Sequence, residues 1–271
     1  MREVPVELRA ISKRYGGFEA VKSVSFSLME GELCALIGEN GAGKSTLIRL
    51  ITGLSEPSSG TISMFGQTGR REIRSCRERL GYMPDLNASY PNLTARDNLV
   101  VRCIEWGLPT DRSIDGVLST VGLGEAGGKK VKNFSMGLRR RLDLAIALLG
   151  DPELLIMDEP TTGLDLGGRE QVMRTLSRIG REASNRAVVL VTHRLEEIPE
   201  GFDHIAIMGR KAVSAQDATE DGVDSMGNPS AGTIIYTGSL EEGLTDERLS
   251  ELFNMPIEVE HSHGRWAAYA V

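Results

Sequence analysis

Residues 33–37 read LCALI, and GENGAGKST follows directly at residues 38–46. A short apolar run bounded by turn residues predicts a buried strand, while Leu47, Ile48, Leu50 and Ile51 recur at helical spacing. The chain must therefore turn from strand to helix through a loop holding Gly38, Gly41 and Gly43. Such a junction places a helix N-terminus beside the carboxyl end of a strand, which commits this part of the chain to an α/β layer. Gly38, Gly43, Lys44 and Ser45 complete the spacing G-x-x-x-x-G-K-[ST], in which glycines let main-chain N–H groups close around phosphates at the positive end of the helix. Lys44 is expected to reach the terminal phosphates and Ser45 to ligate magnesium, with Asn40, Gly41 and Thr46 in the same loop. The alternative, a glycine turn that only joins strand to helix, is disfavoured because the strand before the loop and the helix after it both fit the phosphate-binding motif.

Two further apolar runs end in polar clusters. LLIM at 154–157 leads into Asp158 and Glu159, and AVVLV at 187–191 leads into Thr192 and His193. Ligands of a doubly wound sheet collect beyond the carboxyl ends of its strands. Asp158 is expected to hold magnesium, Glu159 to polarise an attacking water and His193 to contact the γ-phosphate. A helix N-terminus decorated with acids that suit its dipole is the plainer reading of Asp158 and Glu159 taken alone.

The global numbers fit this reading. A net charge of −7 and a pI near 5.3 argue against nucleic acid as a partner, which calls for a basic surface. Three cysteines without paired or metal-ligand spacing indicate a reduced, cytoplasmic chain. The N-terminus lacks a signal-like core, and the most apolar stretch is interrupted by charges and a proline.

With FSMGLRRRL at 134–142, TTGLD at 161–165 and VTH at 191–193 added to GENGAGKST and LLIMDEP, the chain resembles the nucleotide-binding subunits of ATP-binding cassette (ABC) transporters. The likeness runs from YGGFEAVKSVSFSL to the C-terminal segment. It implies a P-loop NTPase (RecA-like) fold, mostly parallel, with an antiparallel β subdomain and an inserted helical subdomain. The implied division is a core at 1–84 and 146–215, a helical lobe at 85–145, an acidic loop insertion at 216–232 and a strand/helix extension at 233–271. It further implies ATP hydrolysis with Mg2+ by a homodimer or heterodimer of cassettes. Each ATP would be sandwiched head to tail, with Ser135 and Gly137 touching the γ-phosphate in trans, Asp165 at the seam and Tyr15 on the adenine. Transmembrane permease subunits would be separate partners, putting the chain at the inner face of the cell membrane.

The residues allow local readings beside these. Ser135 suits the N-cap of a helix carrying Leu138, Leu142, Ala145, Ile146 and Leu149, and a cap and a phosphate contact are compatible. Arg139, Arg140 and Arg141 read as a solvated helix face. Tyr90, Leu93 and Trp106 either fill the helical lobe's own core or, with the segment LNASYPNLT, form part of a groove for a coupling helix of the membrane subunit. Thr94 and Asp97 have the spacing of a capping box. His261 and His263 flank a glycine turn as an exposed hairpin would.

The pattern departs from the family at Asp85, where related cassettes carry a glutamine that reaches magnesium and senses the membrane subunit. Aspartate also offers oxygen to a hard cation, but it is shorter and adds a charge beside two other acids. Met136 and Leu138 stand where a glycine and a glutamine are usual in the signature, but the serine and the second glycine remain, so hydrolysis is still expected, at the risk of slower turnover. The C-terminal segment resembles siderophore, iron or molybdate cassettes, whereas MPD followed by YPNLTARDNL resembles drug or lipid exporters. A weakly hydrolysing regulatory cassette and a non-transport ABC ATPase are the rival functions; a guanine-reading N-K-x-D motif is absent.

Overall fold

The computed structural model describes residues 3–85, 89–110, 113–182, 185–210 and 231–271. A hairpin of β1 (Val6–Tyr15) and β2 (Phe18–Leu28) comes first, then β3 (Leu33–Gly38) and α1 (Lys44–Ile51) on either side of the glycine loop. Next are β4 (Ser59–Met64), β5 (Gln67–Thr68), α2 (Arg70–Ser75) and β6 (Leu80–Met83). The helices α3 (Ala95–Trp106), α4 (Ser113–Thr120) and α5 (Met136–Leu148) follow and pack on one another. The chain then returns to the sheet through β7 (Leu154–Asp158), α6 (Leu166–Glu182), β8 (Ala187–Val191) and β9 (His204–Arg210). It ends with β10 (Gly232–Ser239), α7 (Leu240–Gly243), α8 (Asp246–Phe253), β11 (Ile257–Ser262) and β12 (Arg265–Ala270).

The main sheet runs β5-β4-β1-β2-β10-β9-β3-β8-β7-β6. Its half from β9 to β6 is parallel, and the strands β1, β2, β4 and β5 form an antiparallel wing. Strands β3, β7 and β8 are buried along their whole length, which is why they read as unbroken apolar runs and not as alternating ones. Alternation survives as a choice of core. Leu33, Ala35 and Ile37 face the core built with α3, α5 and α6, while Cys34 and Leu36 face the one built with α1 and the antiparallel wing. The same period of two divides β7, where Leu155 and Met157 go one way and Leu154 and Ile156 the other.

Local chemistry sets the lobe helices. Thr94 and Asp97 exchange side-chain to backbone bonds at the start of α3, and Gly107 in the left-handed region ends it. The segment carrying His261 and His263 is the hairpin β11–β12, in which Ser262 pairs with Arg265 and both His263 and Gly264 have positive φ, as a type I′ turn requires. His261 stacks on Trp266 at 4.3 Å. The expected acidic insertion at 216–232 lies outside the described residues up to residue 230, and so do Leu86, Asn87 and Ala88 of the expected docking segment.

Candidate functional site

The parallel register brings the expected residues to one edge. Gly38 ends β3 opposite Met208 of β9, and a Cβ there would stand 2.2 Å from the Met208 carbonyl oxygen, so only glycine fits. Gly43 precedes α1 at φ +90°, with its Cα pressed towards the backbone of Ala20. Lys44, the first residue of α1, is buried and donates through Nζ to the carbonyls of Gly38 at 2.6 Å and Glu39 at 2.9 Å. Burial lowers its pKa, while Glu159, Asp158 and Glu39 act to keep it charged. The lysine thus lies folded along its own loop, with the acids of the next strand nearby.

Asp158 pairs with Val191 across β7 and β8, so Glu159 and His193 emerge side by side. Glu159 sits at φ +51°, a strained value for a residue with a side chain, and its N–H donates to the Val191 carbonyl at 3.0 Å. Its Oε1 lies 2.8 Å from His193 Nδ1, and its Oε2 accepts from Thr162 Oγ1 at 2.9 Å. Behind the histidine, Thr192 accepts from the Arg194 N–H at 3.1 Å and donates to buried Glu197 at 2.8 Å, fixing the chain on both sides of His193. Burial, then the charges of Asp85 and Glu159, push Asp158 up to about 6 against the opposing pull of Lys44 and Arg49. These groups border a cavity of about 360 Å³ lined by Phe18, Ala20, Asn40, Gly41, Gly43, Lys44, Ser45, Thr46, Asp85, Asp158 and Glu159. One basic group, hydroxyls, loop amides and three acids therefore meet where phosphate and a cation are best held together.

Other candidates stand apart from this cavity. Ser135 caps α5, its Oγ accepting from the Leu138 N–H at 3.3 Å. Asp165 accepts from the Gly168 N–H at 2.7 Å at the start of α6. A Cβ on Gly168 would touch both Asp165 and the Gly137 Cα, so the two helix N-termini adjoin. Both Ser135 and Asp165 are exposed. Tyr15 also lies outside the cavity lining, its ring exposed beneath the Lys13 ammonium at 4.9 Å, whereas its cross-strand partner Phe18 lines it.

One expectation fails. Arg140 is not on a solvated face: it is 4% exposed, donating to Asp85 Oδ1 at 3.0 Å and to the Pro84 carbonyl at 3.2 Å. The C-terminal part of α5 is buried all round, with Asp143, Leu144 and Ala147 enclosed as well as the apolar stripe. Leu144 and Ala147, one turn and two turns along from Arg140, were the signal in the sequence for a second buried face. Phe18, Ala20 and Thr162 had no comparable signal.

Residues 21–162, more than half of the chain, match the ABC transporter family. The chain is 37% identical over 198 residues to the bacitracin transport ATP-binding protein BcrA of Bacillus licheniformis, covering 73% of this chain and 64% of that protein. It is 38% identical over 219 residues to the Nod factor export ATP-binding protein I of Sinorhizobium fredii, covering 79% and 63%. With the linearmycin resistance ATP-binding protein LnrL of Bacillus subtilis the identity is 35% over 231 residues, covering 84% and 74%. The chain thus spans less than two thirds of the length of the first two. Among solved structures, cbiO1 from Clostridium perfringens, part of an ABC transporter complex, superposes with a TM-score of 0.73 at 25% identity over 93% of this chain and 95% of that one. An ATP-binding cassette in its ADP conformation superposes at 0.74 with 21% identity over 94% and 99%, a likeness of fold. By the family match and by these relatives, the chain belongs to the ABC transporter family.

Proposed function

We propose that the chain is the ATP-binding and ATP-hydrolysing subunit of an ABC transporter whose membrane-spanning chains are separate. The observation that carries this reading is the 2.8 Å contact of Glu159 with His193 at the edge of the cavity that Lys44 and Ser45 line. Lys44 exchanges its loop carbonyls for the terminal phosphates of ATP, and the loop amides hold the rest. Glu159, oriented by His193 and Thr162, accepts the proton of the attacking water, while His193 presents its other nitrogen towards the γ-phosphate. Oxygen donors suit magnesium: Ser45, Asp158 and Asp85 line the same cavity, and a divalent cation would offset the burial and the neighbouring acids that raise Asp158. When bound, that ion neutralises charge on the transferred phosphate.

Two cassettes pair head to tail, one copy's Ser135 and Gly137 completing the other's site. The adjoining, exposed N-termini of α5 and α6 support this, because free N–H groups and the helix dipoles favour an anion there. Tyr15 stacks on adenine from the open side. Over their described residues, 1–84 and 146–215 form the cassette core, 85–145 the helical lobe and 233–271 an extension. Tyr90 and Trp106 are 44% and 42% exposed, which supports a contact with the permease on that lobe and holds the cassette at the inner membrane face. Among the described residues no helix is long and apolar enough to cross a membrane. The segment MPD and YPNLTARDNL, together with relatives named for export and resistance, supports export of the cargo.

The test is calorimetry with Mg-ATP and steady-state phosphate release, comparing the chain with Glu159→Gln. Binding by both proteins is expected, with kcat reduced by at least about 100-fold in the variant. Equal rates would leave a binding-only regulatory cassette; no binding would remove the nucleotide reading altogether.

A further inference from the structure

Asp85 leaves β6 towards the ATP cavity, and its carboxylate is one of the groups that raise Asp158. It is half exposed, whereas its partner Arg140 is almost wholly enclosed. The guanidinium grips two consecutive residues, the Pro84 carbonyl and the Asp85 carboxylate, from the third residue beyond Gly137 on α5. Two acceptors meet this buried guanidinium while its Nε finds none, so losing Asp85 would leave the Pro84 carbonyl as the acceptor shown for its charge, and the pair resists separation. Moving Asp85 therefore means moving α5, and the N-terminus of α5 carries Ser135 and Gly137.

We propose that Arg140 is a positioning residue for ATP hydrolysis: acting through Asp85, it ties the mouth of the cavity to the first turns of α5 so that the two move as one. The inference rests on the ATP-hydrolysing reading of the cavity. It also gives the aspartate a task that glutamine performs less well, since a carboxylate meets one arm of the guanidinium with full charge while the other arm reaches the Pro84 carbonyl. Asp85 keeps a second carboxylate oxygen for the cation, and Arg140 decides where that oxygen stands.

The full-length chain is compared with Arg140→Gln, Asp85→Asn, the double variant and Arg140→Lys. Each neutral single variant is expected to lower kcat about tenfold while the KM for ATP changes less than about threefold, and the double variant to fall no further than the worse single one. Arg140→Lys keeps the charge but not the fork, and should recover part of the loss. Amide exchange supplies a readout independent of turnover, taken at a concentration where sizing finds monomer. Mg-ATP should protect residues 38–46 and 136–141 in the parent but only 38–46 in Arg140→Gln. Should Asp85→Asn fail to fold because it strands a buried guanidinium, Arg140→Gln still decides, as the aspartate it leaves behind reaches solvent. Multiplicative losses in the double variant, unchanged kcat, or retained protection of 136–141 in Arg140→Gln overturn the inference. Absent protection of 38–46 in the parent overturns the nucleotide reading as well, so the two failures are told apart.

Discussion

At Asp158 the carboxyl is pushed up to about 6 by burial and by the charges of Asp85 and Glu159. An aspartate in the unfolded chain titrates near 3.8, so between those values the folded form holds a proton that the unfolded form has lost. Stability from this group is fully present below about pH 4 and is lost as pH rises through 6. The gap of about two units corresponds to roughly 3 kcal/mol, and because Asp158 is only 7% exposed little of it is screened by water. Asp158→Asn should therefore raise the melting temperature of the nucleotide-free protein in a chelator at pH 8, by several degrees, and the difference should fall to about half at pH 5 and close only below about pH 4. A gain of equal size at both pH values would show that repacking, and not the ionised carboxylate, is responsible. In the proposed function the site keeps this cost because the same crowding of oxygens suits a cation bound with nucleotide.

Among the elements, the joined N-termini of α5 and α6 carry the pairing reading, and Ser135→Arg probes it. The variant loses a cap, worth about 1 kcal/mol, which Ser135→Ala loses too. Both should bind Mg-ATP as monomers. In a Glu159→Gln background only Ser135→Arg should fail to form the ATP-driven dimer in sizing, by at least about tenfold in dimer population. Normal pairing of that variant would remove Ser135 from the seam. This scale also shows what the sequence made legible. The strands β3, β7 and β8, the glycine loop and the capping box of α3 were readable because each is decided by neighbours within a few residues. The burial of Arg140 is not legible in this way, because its acceptor lies 55 residues away and the second buried face of α5 lies beside a clearer apolar stripe. Phe18 reaches the cavity from the antiparallel wing through a sheet order that brings distant strands together.

Taken as a whole, the molecule holds the sheet edge that carries Glu159 and His193 from two directions. The helical lobe grips Asp85 through Arg140, while the C-terminal hairpin grips the segment after His193 through Arg265. Arg265 donates to the Glu196 carbonyl at 3.1 Å and pairs with Glu170 of α6 at 2.8 Å, so hairpin, helix and histidine loop share one guanidinium. An apolar cleft of about 290 Å³ continues this contact, with Leu195 and His193 on one wall and Ile257 and Tyr269 on the other. Because Arg265 is about one-third exposed, removing it should cost only about 1 kcal/mol. Its effect should therefore be local. In Arg265→Ala, amide exchange is expected to rise at residues 194–198, while residues 38–46 and 136–141, held by other contacts, keep the parent's rates. Phosphate release should fall a few-fold at unchanged KM, since the histidine loses its footing and the phosphate loop does not. A uniform rise in exchange across the chain would mean that the hairpin serves general stability, and an unchanged 194–198 segment would mean that Thr192 and Glu197 hold the histidine without its help.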